Sequence, residues 1–317
     1  MCQLCTYILN DKKLRMILDA IKADWNIRTE RLELEILKNT AEAGRFYTCV
    51  YTANVSSAVA TVILTSLTNP VLDTLVPLNE SRIRQPVFEA ILPFNQTKHF
   101  YWTFLYGASA AMYNDIVLSS CESLFAVATL HACGLFSIAS YRLKRIAEQL
   151  DVREICEDQN LPDSIFEELI HIIESHNHAL TFARTLDTVY STFLFITILM
   201  NILLLSTAGL GILTSLGQID NVIKYGAFTL GVFVHFYCIT LPPQKLLDHS
   251  VDVACTAYDV LWYKLPIKSR KLLILLIKRS QKPTKLTAGK FYSMDMETFS
   301  SLAQTSMSFF TMLFSLR

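Results

Sequence analysis

A stripe of polar side chains runs along one face of a potential helix near the end of the sequence. Its members recur at intervals of four, three, four and four residues, and they are Ser301, Thr305, Ser308, Met312 and Leu316. This spacing puts them on one helical face. The hydroxyls could solvate cations in a pore, and the two apolar residues could close it by dewetting. Hydroxyl residues also support close packing of membrane helices, and the stripe alone favours packing.

Two acidic residues, Asp115 and Glu122, interrupt a long apolar segment. They are seven residues apart, so a helix would hold them near one face. Charged groups are costly in hydrocarbon and usually face a cavity or a partner. These acids could bind a ligand amine, contact water, or form hydrogen bonds with neighbouring helices, and we expect a structural or water-facing role.

The sequence gives no support to enzyme or metal chemistry. It contains no Gly-rich phosphate loop, nucleophile elbow or paired catalytic motif, so we predict no enzyme activity. A single helix does not bring His171, His176 and His178 together, and Cys2-x-x-Cys5 lacks a second pair, so no metal site is predicted. We predict no cofactor either.

Long uncharged runs identify the elements that must position these residues. The chain has 317 residues, of which 52% are hydrophobic and 18% charged, with a mean hydropathy of +0.34. Uncharged runs of 27, 32, 20 and 19 residues follow Arg45, Asp187, Lys224 and Glu297. Because about 20 helical residues cross a bilayer core, each predicts a span. The segment that contains the two acids adds a fifth span, within one long helix, so the fold class is an all-α, polytopic membrane bundle.

Basic residues predict the orientation of the bundle. Residues 1–45, 142–187 and 245–285 hold 22 of the 28 Lys and Arg residues, and the net charge is zero. Lys and Arg accumulate in cytoplasmic loops, so the N-terminus is predicted to be cytoplasmic and, after five crossings, the C-terminus outside. The predicted outer loop, 69–98, contains two glycosylation sequons, at Asn79 and Asn95.

These signals divide the chain into alternating segments. We expect cytoplasmic linker helices in 1–45, where apolar residues recur from Leu14 to Trp25, and cytoplasmic helices in 142–187, where Ser164-x-x-Glu167 has a capping-box pattern. The remaining divisions are two spans in 46–141, two spans in 188–244, a cytoplasmic anchor segment in 245–293 and the final helix in 294–317.

Several short motifs, in the same order, resemble those of insect odorant receptors. They are Asp24-Trp25, His131-Ala132-Cys133-Gly134, Tyr237-Cys238, Trp262-Tyr263-Lys264-Leu265-Pro266, Leu286-Thr287-Ala288-Gly289-Lys290-Phe291, Thr298-Phe299 and Thr305-Ser306-Met307-Ser308-Phe309-Phe310. The resemblance places Asp24-Trp25 after the second of seven helices, so we expect this chain to lack the first two and to be a fragment or a truncated copy.

The resemblance implies a subunit of an odorant-gated, non-selective cation channel. It implies inverted topology, a tetramer assembled with a shared co-receptor, cytoplasmic anchor helices where subunits meet, and the plasma membrane of an olfactory sensory neuron. With the resemblance, we interpret the polar stripe of the final helix as the lining of a pore and no longer as a surface for helix packing. Met312 and Leu316 match the positions of the family's gate, and Ser315 matches a pore-lining polar position in the co-receptor.

An odorant pocket requires an apolar cavity with a few polar groups near the outer surface. Tyr rings offer apolar area and one directional hydrogen bond to a small volatile ligand. Interfacial aromatic belts and ordinary helix packing explain aromatic residues such as Tyr106 equally well. The outer halves of three spans supply the candidates Ser57, Thr61, Leu64, Tyr106, Ala110, Tyr113, Tyr225 and Phe228.

Other functions remain open at this level. A gustatory receptor of the same superfamily and a non-functional truncated receptor fit much of the sequence. A G-protein-coupled receptor requires an extracellular N-terminus, which the distribution of basic residues disfavours. A transporter is distant, because neither inverted repeats nor helices broken by Gly and Pro are evident.

Overall fold

A computed structural model describes residues 10–76, 82, 86–87, 99–152, 161–214 and 219–315 of the chain. This part folds into helices and one two-stranded hairpin. In chain order the elements are α1 (Asp11–Ile27), α2 (Arg31–Leu75), α3 (Phe100–Val152), α4 (Leu161–Thr214), α5 (Ile219–Asp259), a 3-10 turn (Trp262–Lys264), α6 (Ile267–Ser280), β1 (Thr287–Ala288), β2 (Tyr292–Ser293) and α7 (Met296–Ser315).

The all-α membrane class is confirmed, and α3 is one continuous helix as predicted. Within the described residues four helices are long and apolar enough to cross a membrane, in Arg31–Leu75, Phe100–Leu150, Asp163–Thr214 and Tyr225–Asp259. Helix α7 has 20 residues, enough to reach about 30 Å, but its Ser and Thr residues leave it less apolar than those four. The fifth crossing stays a prediction.

Helices α2 and α3 run antiparallel in a register that three contacts define. Ser56 Oγ donates to Asp115 Oδ2 at 2.8 Å, and Tyr141 Oη donates to Glu30 Oε1 at 3.0 Å. A Cβ on Gly44 would lie 3.4 Å from Val127 Cγ2. By this register Arg45 is level with residue 126, although the sequence placed the inner boundary of the α3 span at 141. We infer that the cytoplasmic part of α3 begins near residue 126.

The half of the bundle that is predicted to be cytoplasmic is a dense helical core. The predicted amphipathic helix forms as α1, whose Leu14 and Ile17 are buried in this core. Helix α4 begins at Leu161, so Ser164 lies inside the first turn and the predicted capping box does not form its N-cap. Pro162 explains the earlier start, because proline is tolerated in the first turn of a helix.

A buried carboxylate ties α1 to two other helices. Asp24 is 5% exposed, and it accepts hydrogen bonds from His131 Nε2 at 2.9 Å and His178 Nε2 at 2.8 Å. Burial works to raise the pKa of Asp24, but the two histidines outweigh it and hold that pKa well below its usual range. The carboxylate therefore joins α1 to α3 and α4 in its charged form.

This cluster predicts a pH dependence of stability. The hydrogen bond to Asp24 raises the pKa of His178, against the opposing effects of burial and Arg28. A histidine whose pKa is raised on folding stabilises the fold fully below its unfolded pKa, about 6.5, and loses that contribution as pH rises through the folded pKa. We expect His178→Gln to lower the unfolding temperature of the purified protein more at pH 6 than at pH 8.

A control for this measurement is His171→Gln, because His171 lies on the same helix in an exposed pair with Glu174. Exposed pairs contribute little, so its effect should be small at both pH values. Equal destabilisation of the His178 variant at pH 6 and pH 8 would contradict the role given to the ion pair.

Gly134 allows a close approach between α2 and α3. A Cβ there would lie 2.8 Å from Thr40 Oγ1 and 3.1 Å from Leu37 Cδ2. Thr40 cannot turn away freely, because its hydroxyl donates to Leu37 O at 2.9 Å. We expect Gly134→Ala to destabilise the protein by about 1–3 kcal/mol through overpacking, measured as heat-induced loss of the monodisperse peak in size-exclusion chromatography.

The matched control is Gly44→Ala in the same interface, where the added Cβ would meet Val127 at an ordinary contact distance of 3.4 Å. Alanine favours helix by roughly 0.8–1 kcal/mol over glycine, so this variant should be as stable as the parent or more so. Equal losses in the two variants would refute the packing argument.

Candidate pore helix and ligand site

The structure leaves the predicted stripe of α7 uncovered. Ser301, Ser308, Met312 and Ser315 are exposed, and Thr305 is half-buried. Leu316, the last member of the stripe, lies outside the described residues. The stripe is therefore available to solvent or to another subunit, and its role stays a prediction.

The hydroxyls of α7 donate hydrogen bonds to the backbone of their own helix. Thr305 Oγ1 donates to Ser301 O at 2.9 Å, and Ser308 Oγ donates to Gln304 O at 3.1 Å. Ser315 Oγ donates to Met312 O at 2.8 Å. A hydroxyl has one donor and two acceptor lone pairs, so each oxygen can still accept or coordinate outward. The stripe therefore presents acceptors, which suit cations.

The opposite face of α7 is packed against the bundle. Leu302 and Ser306 are each 6% exposed. The Phe299 ring lies 5.1 Å from the ring of Phe236 and 5.2 Å from that of Phe233, both on α5. Aromatic pairs at such distances add to the stability given by burial alone. The helix thus has one buried face, and the predicted stripe lies on the other.

Asp295 caps the first turn of α7. Its Oδ1 accepts from Thr298 N at 2.9 Å, and its Oδ2 accepts from Ser293 Oγ at 2.6 Å and Lys285 Nζ at 3.0 Å. Burial works to raise the pKa of Asp295, but these hydrogen bonds outweigh burial and lower the pKa to about 2. An ionised carboxylate also suits the positive end of the helix dipole.

The predicted ligand residues on α2 and α3 lie at similar levels along the two helices. The register that pairs Ser56 with Asp115 places Thr61 level with Ala110 and Ser57 close to the level of Tyr113. Ala110 is half-buried, while Ser57, Thr61 and Tyr113 are exposed on the single chain. Leu64 and Tyr106, one turn further out, are 64% and 72% exposed.

The third group, on α5, reaches the same depth. Tyr51 Oη and His235 Nδ1 are 2.8 Å apart, and Tyr47 Oη donates to Cys238 O at 2.7 Å. These contacts set an antiparallel register of α2 and α5 that puts Phe228 near the level of Ser57 and Tyr225 near that of Thr61. The structure therefore brings the three groups to one level, and it leaves most of their side chains uncovered.

The intramembrane acids have different surroundings. Asp115 accepts from Ser56 Oγ, and Ser119 Oγ donates to it at 3.3 Å, so it has the structural partner expected of it. Glu122 is 1% exposed, and neither of its carboxylate oxygens has a hydrogen-bond partner among the described residues.

The three histidines of α4 have separate partners. His171 contacts Glu174, His176 lies 3.2 Å from Ser280 Oγ, and His178 binds Asp24. Within the part of the chain that the structure describes, no cluster of three or more His, Cys, Asp or Glu residues could hold a metal ion. The predicted glycosylation residues, Asn79 and Asn95, fall outside that part.

Sequence reasoning missed the contacts that hold the base of α7. Asp187 and Ser191 on α4 bind the hairpin before α7, and Gln244 Oε1 on α5 accepts from Met296 N at 3.0 Å. In the sequence, Asp187 stands out only as the last charged residue before an uncharged run. Its partner is 100 positions away in the sequence, so no local pattern could have identified it.

Comparison with known proteins gives consistent matches. A family model described as 7tm Odorant receptor matches residues 1–307. Odorant receptor 22c of Drosophila melanogaster is 22% identical over 233 residues, which cover 70% of this chain and 57% of that relative. The chain thus spans little more than half the length of this relative.

The fold is similar to that of a solved structure, the insect olfactory receptor OR5 from Machilis hrabei. The TM-score is 0.75 with 15% sequence identity, and the match covers 100% of this chain and 78% of that one. The structure of the same receptor in complex with eugenol matches with a TM-score of 0.70 and covers 79% of that chain. At this level of identity the likeness concerns the fold.

The exposed stripe predicts a difference in water access between neighbouring residues of α7. Ser308 belongs to the stripe, whereas Met307 is 63% exposed on a face about 100° away. A thiosulfonate reagent reacts only with the thiolate form of cysteine, and apolar surroundings suppress that form. Ser308→Cys should therefore react about tenfold faster than Met307→Cys with a membrane-impermeant thiosulfonate reagent. The parent chain, with exposed Cys49 and Cys255, gives the background. Equal rates would place both faces in the same environment.

Proposed function

Because this chain belongs to the 7tm odorant receptor family, we propose that it forms one subunit of a ligand-gated, non-selective cation channel that detects a small volatile molecule. In this proposal the chain assembles with a shared co-receptor into a hetero-tetramer in the plasma membrane of an olfactory sensory neuron. Asn79 and Asn95 would be glycosylated on the outer side.

The observation that carries the proposal is the exposed polar stripe of α7. The outer surface of a lipid-facing bundle is normally apolar. Ser301, Thr305 and Ser308 instead present hydroxyl oxygens on the face that the bundle leaves open. Repeated around a central axis, these oxygens would line a path that replaces part of the hydration shell of a cation.

The gate belongs at the outer end of the same stripe. Met312 is 50% exposed, and Leu316 follows it four positions later in the sequence. A ring of such side chains, one from each subunit, would exclude water until the helices separate. Ser315 lies beside this ring and would contact ions when it opens.

The ligand would bind in the outer half of the bundle, at the level shared by α2, α3 and α5. Ser57, Thr61 and Tyr113 offer hydroxyls, and Leu64, Ala110 and Phe228 offer apolar contact. This mixture suits a neutral volatile with one polar group, and the similar OR5 receptor has a structure in complex with eugenol. Tyr106 and Tyr225 complete the proposed set. Binding opens the channel only to the extent that the open state binds the ligand more tightly.

The proposal is tested by recording currents from cells that express this chain with an insect odorant co-receptor. A panel of neutral volatiles, with eugenol as the first member, should evoke a cation current that reverses near zero in mixed sodium and potassium solutions. Cells that express only the co-receptor provide the baseline. The absence of any response that depends on this chain, despite its presence at the cell surface, would overturn the proposal.

The gate is tested with two methionines of the same helix. Met312→Ala should increase the current without ligand, because a smaller side chain leaves the closed ring wider and wetter. Met307→Ala is the matched control, since Met307 is similarly exposed but lies about 140° around the helix. An unchanged leak in Met312→Ala would remove this residue from the gate.

A further inference from the structure

The hairpin that precedes α7 is fastened to the side of α4. Asp187 Oδ1 accepts two hydrogen bonds from one residue, from Thr287 N at 2.6 Å and from Thr287 Oγ1 at 2.7 Å. One turn further along α4, Ser191 O accepts from Gly289 N at 2.9 Å, and Lys290 N donates to Ser191 Oγ at 3.1 Å. We call Asp187, Ser191, Thr287, Gly289 and Lys290 the hairpin clasp.

The turn of the hairpin has a backbone that few sequences adopt. Gly289 and Lys290 both have positive φ angles, 62° and 64°, and Phe291 N donates to Ala288 O at 3.2 Å. Positive φ at both central residues is the geometry of a type I′ turn. For Lys290 it is a strained conformation, which persists only when the surroundings determine it. Here the hydrogen bond from Lys290 N to Ser191 Oγ holds Lys290 in this conformation.

Close packing adds to the hydrogen bonds of the hairpin clasp. A Cβ on Gly289 would lie 2.9 Å from Cδ2 of Phe195, which is also on α4. The turn therefore rests directly on the aromatic ring, and any larger residue would push the hairpin away from α4. Backbone, side-chain and packing contacts all hold the hairpin at one place on this helix.

The hairpin clasp also fixes the start of α7. Asp295, which caps α7, accepts from Ser293 in the second strand and from Lys285 before the first. Met296 N donates to Gln244 on α5. The base of α7 is thus attached to α4 through the hairpin and to α5 through Gln244, so a relative movement of α4 and α5 must move it.

The outer ends of α4 and α5 meet at a residue of the proposed ligand site. A Cβ on Gly211 of α4 would lie 2.9 Å from Cδ1 of Tyr225 on α5. Gly211 and Asp187 are 24 residues apart in one helix, a distance of about 36 Å at 1.5 Å per residue. Helix α4 therefore extends continuously from the proposed ligand site to the hairpin clasp.

From this geometry we propose that Asp187 is a positioning residue for the channel gate: through its two hydrogen bonds to Thr287 it sets the placement of α7 in the ion path and transmits displacements of α4 to that helix. The inference rests on the proposed function of α7 as the pore helix. It assigns to Asp187 no contact with ligand or ions.

The test uses two readouts that do not require a known ligand, in a Ser308→Cys background co-expressed with the co-receptor. They are the current without ligand and the rate at which an external thiosulfonate reagent modifies Ser308→Cys, both normalised to the receptor amount at the surface. Asp187→Ala removes the acceptor and should change both by about five- to tenfold, the range of one lost hydrogen bond. A residue needed only for folding would change the surface amount and leave the normalised values unchanged.

Conservative variants separate the hydrogen bond from the charge. Asp187→Asn keeps an oxygen that can accept from Thr287, so both readouts should stay within about twofold of the parent. Thr287→Val removes the hydroxyl donor and should shift the readouts in the same direction as Asp187→Ala. Thr287→Ser keeps a hydroxyl donor, so its readouts should stay near those of the parent. Thr185→Val is the control on α4, because its exposed hydroxyl bonds only within the helix, to Thr181 O.

The pattern of outcomes distinguishes this inference from the proposed function. If Ser308→Cys alone neither reacts nor supports current, the pore role of α7 fails. If it reacts and conducts, while Asp187→Ala and Thr287→Val both match the parent, the positioning role of Asp187 is overturned. Should Asp187→Ala fail to reach the surface, the Thr287→Val and Thr287→Ser pair decides. The double variant Asp187→Ala with Thr287→Val should shift no further than Asp187→Ala alone, because the aspartate variant already removes the acceptor of both hydrogen bonds from Thr287.

Discussion

The bilayer offers no water to backbone amides, and this one constraint organises the whole chain. Every peptide group in the hydrocarbon must be bonded within its own segment, so the chain crosses as helices. Four helices of 41 to 54 residues continue far beyond the roughly 30 Å that the hydrocarbon requires. Their extensions at the end predicted to be cytoplasmic pack into the core that receives α1, α6 and the hairpin. The same helices thus form both the apolar bundle and the scaffold at its base.

The constraint applies to side chains as well. Hydroxyls within the predicted spans donate to carbonyls of their own helix, as the buried Thr197 does to Phe193 O. Polar groups that cannot bond locally are joined across helices, as Ser56 is to Asp115 and Tyr51 is to His235. These cross-helix bonds set the register of α2 with α3 and α5, and so they determine which outer residues share a level.

Much of the fold could be predicted from local patterns, because the causes are local. Uncharged runs identified the spans, and the spacing from Leu14 to Trp25 identified α1. The capping box at Ser164 was misplaced because Pro162 allows an earlier start. The inner end of the α3 span was predicted at 141 because the segment after Glu122 is apolar; in the structure most of that segment is buried against other helices. Composition alone does not distinguish a helix buried in protein from one buried in lipid. The pairings of Asp187 with Thr287 and of Asp24 with two histidines join distant positions, and a single sequence carries no signal for them.

The composition of α7 has a consequence for how it must be held. A membrane helix that packs on several sides is held in its bundle by those contacts. Helix α7 packs on the face of Leu302 and Ser306 and leaves its hydroxyl face open. Because that face is open, the position of α7 depends more strongly on its attachment at the base. The hairpin clasp supplies that attachment with two hydrogen bonds to Asp187. The Asp295 cap supplies it with hydrogen bonds to an ionised carboxylate, which are stronger than bonds between neutral groups. In the proposed function α7 moves between closed and open states, and an attachment at its base together with an open hydroxyl face is compatible with a gate at Met312.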